Sequence, residues 1–177
     1  MAAEQIAEIV NLINFYPIAV DSQQWHLFDR IFTDDVEADF GGPARWQGLA
    51  PLKQAFAAIH APFASTQHAT RGHHVALNGA DAATCLSYVH GRFIRDVPGD
   101  ASGGGNMFES IGWYDDALVR TSGGWRIARR ICRTQWCGGN PLVLQTTADV
   151  PVEHVLNSLR DEVQAGRIGH FQTLAAR

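Results

Sequence analysis

Apolar residues recur at helical spacing in the N-terminal third of the chain. Residues 4–20, 22–33 and about 49–61 each carry one apolar stripe, which predicts three helices. Pro17 should kink the last turn of the first helix, and Asp21 or Ser22 is the predicted cap of the second. Residues 36–40 predict a short strand. The stripe positions, helix by helix, are Ile6, Ile9, Val10, Ile13 and Tyr16; Trp25, Phe28 and Phe32; and Leu52, Phe56 and Ile59.

Beyond residue 64 the pattern changes to long runs of β-branched and aromatic residues. The turn signals between these runs favour an antiparallel meander. One connection, 99–105, is rich in glycine, but it joins two strands rather than opening a helix, so it does not predict a phosphate cradle. Helices followed by one curled sheet predict the α+β class, as a cone-shaped α+β barrel that can hold a ligand-sized cavity. The predicted strands are residues 65–77, 82–96, 106–120 and 125–137.

The C-terminal residues predict one more helix. After an irregular stretch at 138–150, Pro151 suits the first helical position, and the pattern closes at Gly166. The apolar positions of this helix are Val152, Val155, Leu156, Leu159 and Val163. We expect residues 1–137 to form the barrel domain, with 138–177 as an extension that covers the pocket or contacts a partner subunit.

Composition restricts the classes of function. The chain has 177 residues and a net charge of −4, which fits one ordinary domain. Its densest basic cluster, Arg126 to Arg133, indicates a strand with arginines on both faces rather than a nucleic-acid surface. Three cysteines fit no disulfide or zinc pattern, and no targeting segment or apolar span is visible. We therefore expect a cytoplasmic protein without nucleic-acid or membrane partners.

Asp21 and His68 are the strongest candidates for chemistry. An imidazole that removes a proton needs a carboxylate to fix its tautomer and to stabilise the imidazolium. The structural alternatives are a helix-capping aspartate and an ordinary buried histidine. Strand alternation would put His68 and His74 on one face and His73 on the other. Because zinc needs three or four converging ligands, we expect no metal and no other cofactor.

Further candidates surround this pair. Tyr16 faces inward by helical period and is either a substrate partner or a core tyrosine. Arg130 either stabilises a developing anion or is an exposed strand residue; Arg129 and Arg133 have the opposite parity. Weaker candidates are His90 and Glu109. Met107 and Trp136 are expected in the wall or core. The predicted substrate-binding residues are Trp25, Phe40, Phe93, Phe108, Ser110 and Tyr114.

The order of motifs over residues 4–137 resembles the SnoaL-like branch of the nuclear transport factor 2-like superfamily. These motifs are a helix, Asp-x-x-x-Trp from Asp21, a strand, a helix, Thr-Gln-His ending at His68, and strands that end in Gly-Trp-Arg-Ile-Ala-Arg-Arg. The likeness is greatest to scytalone dehydratase, hexachlorocyclohexane dehydrochlorinase and bile-acid dehydratase. It implies a cofactor-free lyase in which Asp21 and His68 form the dyad, assisted by Tyr16 and Arg130. One departure is Phe40, which stands where some of these enzymes have a strand tyrosine.

The resemblance implies proton abstraction followed by elimination from a small hydrophobic, aromatic or alicyclic substrate. Dehydration is the first expectation, and loss of a small fragment such as formaldehyde is a variant. An isomerase or polyketide cyclase would use the same dyad to move a proton. The alternative from another class is a non-catalytic ligand binder, or a protein like the small subunit of ring-hydroxylating dioxygenases. A homodimer or homotrimer is expected.

Overall fold

The computed structural model describes residues 2–97, 105–146 and 155–176. None of the helices in these ranges combines the length and apolarity that a bilayer crossing requires. In chain order the elements are α1 (Ala2–Asp21), a first 3₁₀ helix (Trp25–Arg30), β1 (Phe32–Asp39), β2 (Arg45–Gln47), α2 (Leu49–His60), β3 (Ser65–Asn78), β4 (Ala82–Ile94), β5 (Met107–Thr121), β6 (Gly124–Gly139), a second 3₁₀ helix (Pro141–Leu144), α3 (Leu159–Gln164) and α4 (Gly169–Ala175).

One six-stranded sheet carries the architecture, with strand order β2-β1-β6-β5-β4-β3. The predicted α+β class and the antiparallel pairing of the four long strands are confirmed. The pairing of β1 with β6 was not predicted, and it is parallel, with Ala38 opposite Arg130. Since β2 and β3 lie at the two edges, the curled sheet of the described residues is not closed into a barrel.

Helix α1 packs its apolar stripe against the inner face of this sheet. Ile9, Ile13 and Val20 are fully buried, and Tyr16 is 2% exposed. Complete burial of one such aliphatic side chain contributes about 1.5–3 kcal/mol. This stripe therefore fixes which way α1 faces, and with it the position of the helix's last residue, Asp21.

The segment between α1 and β1 differs from its prediction. Instead of an α-helix over 22–33 there is a six-residue 3₁₀ helix, and β1 begins at Phe32 rather than at residue 36. The capping prediction was also wrong. The residue before the 3₁₀ helix is Gln24, which makes no side-chain cap bond. The Ser22 hydroxyl instead donates back to the Ile18 carbonyl at 2.6 Å.

Strand β3 contains a bulge that reverses its alternation. Its register against β4 shifts between Arg71 and His74, where Gly72 adopts a φ of +64°. The extra residue sends His74 to the face opposite His68, so the expectation that these two histidines share a face was wrong. His74 Nδ1 lies 2.8 Å from His170 Nε2 of α4.

The C-terminal helix begins later than predicted. Leu156 forms a parallel bridge with Thr134, and α3 begins at Leu159, where the Ser158 hydroxyl accepts from the Asp161 N–H at 3.4 Å. Residues 151–154, like 98–104 in the glycine-rich loop, lie outside the described ranges. Helix α4 lies on the outer face of the sheet, where the Gly169 N–H donates to Asp115 Oδ2 at 2.7 Å.

Candidate active site

The structure brings the side chains of Asp21 and His68 into direct contact. Asp21 Oδ1 lies 2.7 Å from His68 Nδ1, although the two residues come from the end of α1 and the start of β3. The His68 side chain is 10% exposed and that of Asp21 is 22% exposed. Such limited contact with water strengthens the electrostatic coupling of the pair.

The carboxylate of Asp21 accepts three hydrogen bonds from β3. Besides the imidazole, the backbone N–H of His68 donates to Oδ2 at 2.7 Å, and the Thr66 hydroxyl donates to Oδ1 at 2.9 Å. The strand that carries His68 thus also fixes its orienting carboxylate. A group held in this way needs little reorganisation during a reaction.

The end of α1 explains how Asp21 reaches β3. Gln23 has a left-handed φ of +52°, and its N–H donates to the Val20 carbonyl at 2.9 Å, while the Gln24 N–H donates to the Ala19 carbonyl at 2.9 Å. This is a Schellman ending. It leaves Asp21 in the final helical turn, where the helix dipole is negative and favours a neighbouring cation. An imidazolium at His68 benefits from that field.

The hydrogen bonds indicate which atoms of Asp21 and His68 carry protons. Burial alone would raise the pKa of the Asp21 carboxyl, but the bonds from His68 and Thr66 and the His68 charge outweigh it and lower that pKa. The carboxylate is therefore ionised at neutral pH and accepts from Nδ1–H. In a neutral imidazole the lone pair then lies on Nε2, which is the nitrogen available as a base.

Aromatic rings and a glycine surround the His68 ring. The Phe93 ring meets it edge-on, with 5.2 Å between centroids. Gly91 is the β4 partner of His68, and a Cβ there would lie 3.2 Å from His68 Cδ2 and 3.1 Å from Phe93 Cε2. Both contacts are tighter than ordinary van der Waals packing allows, so the absence of a side chain at Gly91 makes room for the two rings.

A row across the sheet links the dyad to Ser110. His68 pairs with Gly91, Gly91 with Ser110, and Ser110 with Cys137. Residues directly opposite one another in neighbouring strands face the same side, and strands lie about 4.8 Å apart. The predicted substrate-binding residue Ser110 thus shares the dyad's face, two strands away. Cys137 completes the row and was not among the predicted site residues.

His60 is a site residue that the sequence reasoning missed. Its ring lies 6.4 Å from the His68 ring, between centroids, and the residue is only 6% exposed. His60 Nδ1 lies 2.8 Å from the Phe56 carbonyl oxygen, and burial lowers the pKa of His60 to about 4. The signal was present in the sequence, because the inward step from Leu52 to Phe56 continues to residue 60.

Tyr16 and Arg130 contact each other within the main buried core. Arg130 has no exposed side-chain surface and donates from Nε and Nη2 to the two carboxylate oxygens of Asp116, each at 2.7 Å. Its guanidinium lies 4.2 Å from the Tyr16 ring centroid and 4.0 Å from that of Tyr114. Arg130 therefore faces inward and carries a counterion, Asp116, that sequence reasoning also missed.

Arg133, which lies on the opposite face of β6 from Arg130, pairs with a different carboxylate. Arg133 Nη1 and Nη2 donate to the Asp39 carboxylate at 2.9 Å each. Asp39 belongs to a groove of about 420 Å³ that is lined by residues of β1, β2 and β6. Of the residues predicted to act in catalysis, only Arg130 reaches that lining. The groove lacks Asp21 and His68, so the candidate active site is the region around that pair.

The residues predicted to line the substrate pocket lie in several different parts of the structure. Trp25 lies beside His60, 5.4 Å between centroids, and Phe93 beside His68. Phe40 packs on the Phe56 ring, with 5.2 Å between centroids. Because Phe56 lies between them, Phe40 is one ring further from His60 than Trp25 is. Phe108 packs with Phe63 and Val143 in a second core cluster, and Tyr114 lies beside Arg130. Met107 and Trp136 are 38% and 47% exposed, so the prediction that they form wall or core was wrong.

The weaker candidates lie apart from the dyad. His90 Nε2 is 3.1 Å from Glu109, which also accepts from Arg92 at 3.2 Å. His90 and Arg92 flank Gly91 on β4, so they have the opposite strand parity and face away from His68. Within the described ranges no group of His, Cys, Asp and Glu converges as metal ligands do.

Comparisons with known proteins agree with this fold. Residues 1–131 match the SnoaL-like domain family. Rv2910c, a protein of Mycobacterium tuberculosis (strain ATCC 25618 / H37Rv), is 31% identical over 126 residues, which cover 70% of this chain and 81% of the relative.

Two solved structures share the fold at low sequence identity. A Novosphingobium aromaticivorans protein provisionally named scytalone dehydratase is 16% identical with a TM-score of 0.70, covering 89% of this chain and 97% of its own. Hexachlorocyclohexane dehydrochlorinase (LinA) Type2 is 17% identical with a TM-score of 0.65, covering 86% and 93%. The chain belongs to the SnoaL-like domain family.

Proposed function

We propose that the protein is a cofactor-independent lyase in which His68, held by Asp21, removes a proton from a small hydrophobic substrate. The observation that carries this proposal is the 2.7 Å bond between Asp21 Oδ1 and His68 Nδ1. The backbone bond from His68 N to the same carboxylate supports it, because it fixes the base and its orienting group as one unit. The names of two structural relatives, a dehydratase and a dehydrochlorinase, support elimination as the reaction type.

The proton would move to His68 Nε2. The electron pair of the broken C–H bond forms the new double bond, and the leaving group departs with the pair that bound it. The resulting imidazolium is stabilised by the ionised Asp21 and by the negative end of α1. If the leaving group is hydroxide, the imidazolium proton converts it to water, so His68 returns to its neutral form and no cofactor is consumed.

Tyr16 and Arg130 would assist the departing group. Burial raises the pKa of Tyr16 well above its ordinary value, so its hydroxyl stays protonated and can donate a hydrogen bond. Among the described residues no partner reaches Arg130 Nη1, which is buried. Since an unpaired buried donor costs about 1–3 kcal/mol, a substrate oxygen at this atom would be favourable.

A variant of the reaction starts from a hydroxyl. His68 would remove the O–H proton, the oxygen electrons would form the carbonyl of the small fragment, and the C–C bond would break to leave a carbanion that takes up the proton. Loss of formaldehyde follows this scheme. It uses the same base in the same position, so the product separates the variant from simple dehydration.

The test uses a neutral β-hydroxy ketone, 3-hydroxy-1-tetralone. Removal of its C2 proton and loss of its hydroxyl give water and, after tautomerisation, 1-naphthol, which is followed by absorbance. We expect turnover by the wild-type protein and a fall of about 10²- to 10⁴-fold in His68→Ala. His26→Ala is the matched control, because His26 is exposed on the 3₁₀ helix. Turnover that survives in His68→Ala at the control rate would contradict the mechanism.

A further inference from the structure

We propose that His60 determines which substrates are accepted: its Nε2 receives a hydrogen bond from a substrate hydroxyl beside the reacting carbon, so the site selects neutral, hydroxylated ring compounds. This inference rests on the proposed function, since it places the substrate against His68. It adds a residue and a chemical class to that function.

The ring of His60 is fixed with one nitrogen occupied and one unoccupied. Nδ1 donates to the Phe56 carbonyl at 2.8 Å within the last turn of α2, which makes Nε2 the lone-pair nitrogen of the neutral ring. In the described part of the chain, no hydrogen bond reaches Nε2. The residue is 6% exposed, yet Nε2 is not one of the fully buried unpaired side-chain atoms, so a small part of its surface stays accessible to a ligand. An acceptor with little contact with water and no partner among the described residues favours a ligand that supplies a donor.

His60 is also hydrogen-bonded to the segment that follows Asp21. The Gln23 side-chain amide donates to the His60 carbonyl at 3.3 Å, and Gln23 lies two residues after Asp21, in the turn that ends α1. The position of His60 relative to His68 is therefore set by two connections, one through α2 and one through α1. A specificity residue needs such a fixed position, because hydrogen bonds weaken steeply when their geometry is lost.

The two imidazoles lie near enough for one small substrate to reach both of them. Their centroids are 6.4 Å apart and their planes are inclined by 47°. Rings at this distance pack against each other, so the substrate hydroxyl would lie beside the ring pair, about 2.8 Å from His60 Nε2. His60 would hold the hydroxyl, while His68 acts on a neighbouring C–H or O–H bond.

The surrounding rings favour an uncharged, flat molecule. His60 stacks on Phe56 at 5.3 Å with an interplanar angle of 20°, and Trp25 and Phe63 approach it at 5.4 and 5.7 Å. The buried cation in this core, Arg130, is already paired with Asp116. A carboxylate ligand would thus meet a guanidinium whose charge Asp116 already balances, whereas a hydroxyl finds an acceptor at His60. Since burial lowers the pKa of His60 to about 4, the ring remains an acceptor at neutral pH.

The test compares two ligands of similar shape that differ in one donor, 1-naphthol and 1-methoxynaphthalene. Their dissociation constants are measured for wild type, for His60→Phe, which keeps an aromatic ring, and for His68→Ala. We expect wild type to prefer 1-naphthol by about tenfold, as one hydrogen bond allows. That preference should vanish in His60→Phe, with 1-methoxynaphthalene affinity unchanged, and should persist in His68→Ala. An unchanged preference in His60→Phe, or no preference in wild type, would overturn the proposal.

A second measurement on the wild-type protein keeps the test decisive if His60→Phe does not fold. The ¹⁵N resonances of the His60 ring report which nitrogen carries the proton. Nε2 should be unprotonated at pH 7, and its resonance should move on addition of 1-naphthol but not of 1-methoxynaphthalene. A protonated Nε2, or equal responses to both ligands, would contradict the assignment. Neither result depends on turnover, so failure of the lyase proposal is detected separately, by the His68→Ala rate.

Discussion

The buried pair of Arg130 and Asp116 allows a quantitative prediction about stability. Both side chains are fully buried, and two bonds of 2.7 Å join them. Asp116→Asn keeps the shape and one acceptor oxygen but removes the negative charge. The guanidinium would then be an uncompensated charge within the core. Breaking such a pair by removing one partner costs about 3–5 kcal/mol.

The neighbouring rings do not offset this cost. Tyr16 and Tyr114 lie 4.2 and 4.0 Å from the guanidinium, and a desolvated cation–π contact contributes about 2 kcal/mol. Both contacts already exist in the wild type, so they do not compensate for the lost carboxylate. Typical domains unfold at a cost of about 5–15 kcal/mol, so we expect Asp116→Asn to lose a large fraction of the free energy of unfolding.

The matched control is Asp39→Asn. Asp39 makes the same two-bonded contact with Arg133, at 2.9 Å, but its side chain is 28% exposed. An exposed pair contributes about 0–1 kcal/mol. Urea unfolding followed by circular dichroism gives both free energies. The reasoning is refuted if Asp116→Asn and Asp39→Asn lose the same free energy, because burial would then make no difference to the pair.

The remaining predictions concern the site. Gly91→Ala should lower kcat about tenfold, since its Cβ displaces the rings of His68 and Phe93; an unchanged kcat with unchanged Tm would show that the rings need no such space. The second of these predictions concerns how stability depends on pH. Unfolded His60 takes up a proton near pH 6.5, whereas the folded residue does so only at about 4, so stability falls as the pH drops between these values. The contribution is about 3 kcal/mol. The wild-type free energy of unfolding minus that of His60→Asn should show this loss from pH 7 to 4, and a difference independent of pH would contradict it.

The long strands were predictable because each carries a continuous signal. β3 to β6 differ from their predicted bounds by at most two residues at each end, since β-branched residues and clear turns bound them. Shorter elements were not predictable, because their apolar residues fit more than one structure. Phe32 fits a helical stripe after Phe28, yet it begins β1. The apolar spacing at 155–163 fits one helix, yet Leu156 pairs with Thr134, a contact that no local pattern contains.

The site was predictable where the sequence supplied an order of motifs. Asp21 and His68 were identified from their place in that order, and the structure puts them in contact. Their partners depend on the tertiary structure. Asp116 is one of two adjacent aspartates, and alternation alone does not say which one meets Arg130. The bulge at Gly72 reversed the expected face of His74, because one inserted residue changes the side of every later residue.

The central claim is that Asp21 and His68 act together to remove a proton. The most direct measurement is the exchange of the C2 protons of 1-tetralone with deuterated water, followed by NMR, because exchange needs the base but no leaving group. We expect wild type to accelerate exchange over buffer, Asp21→Asn to slow it strongly, and His68→Ala to abolish it. Exchange that is no faster than in buffer, or equal rates in wild type and His68→Ala, would contradict the claim.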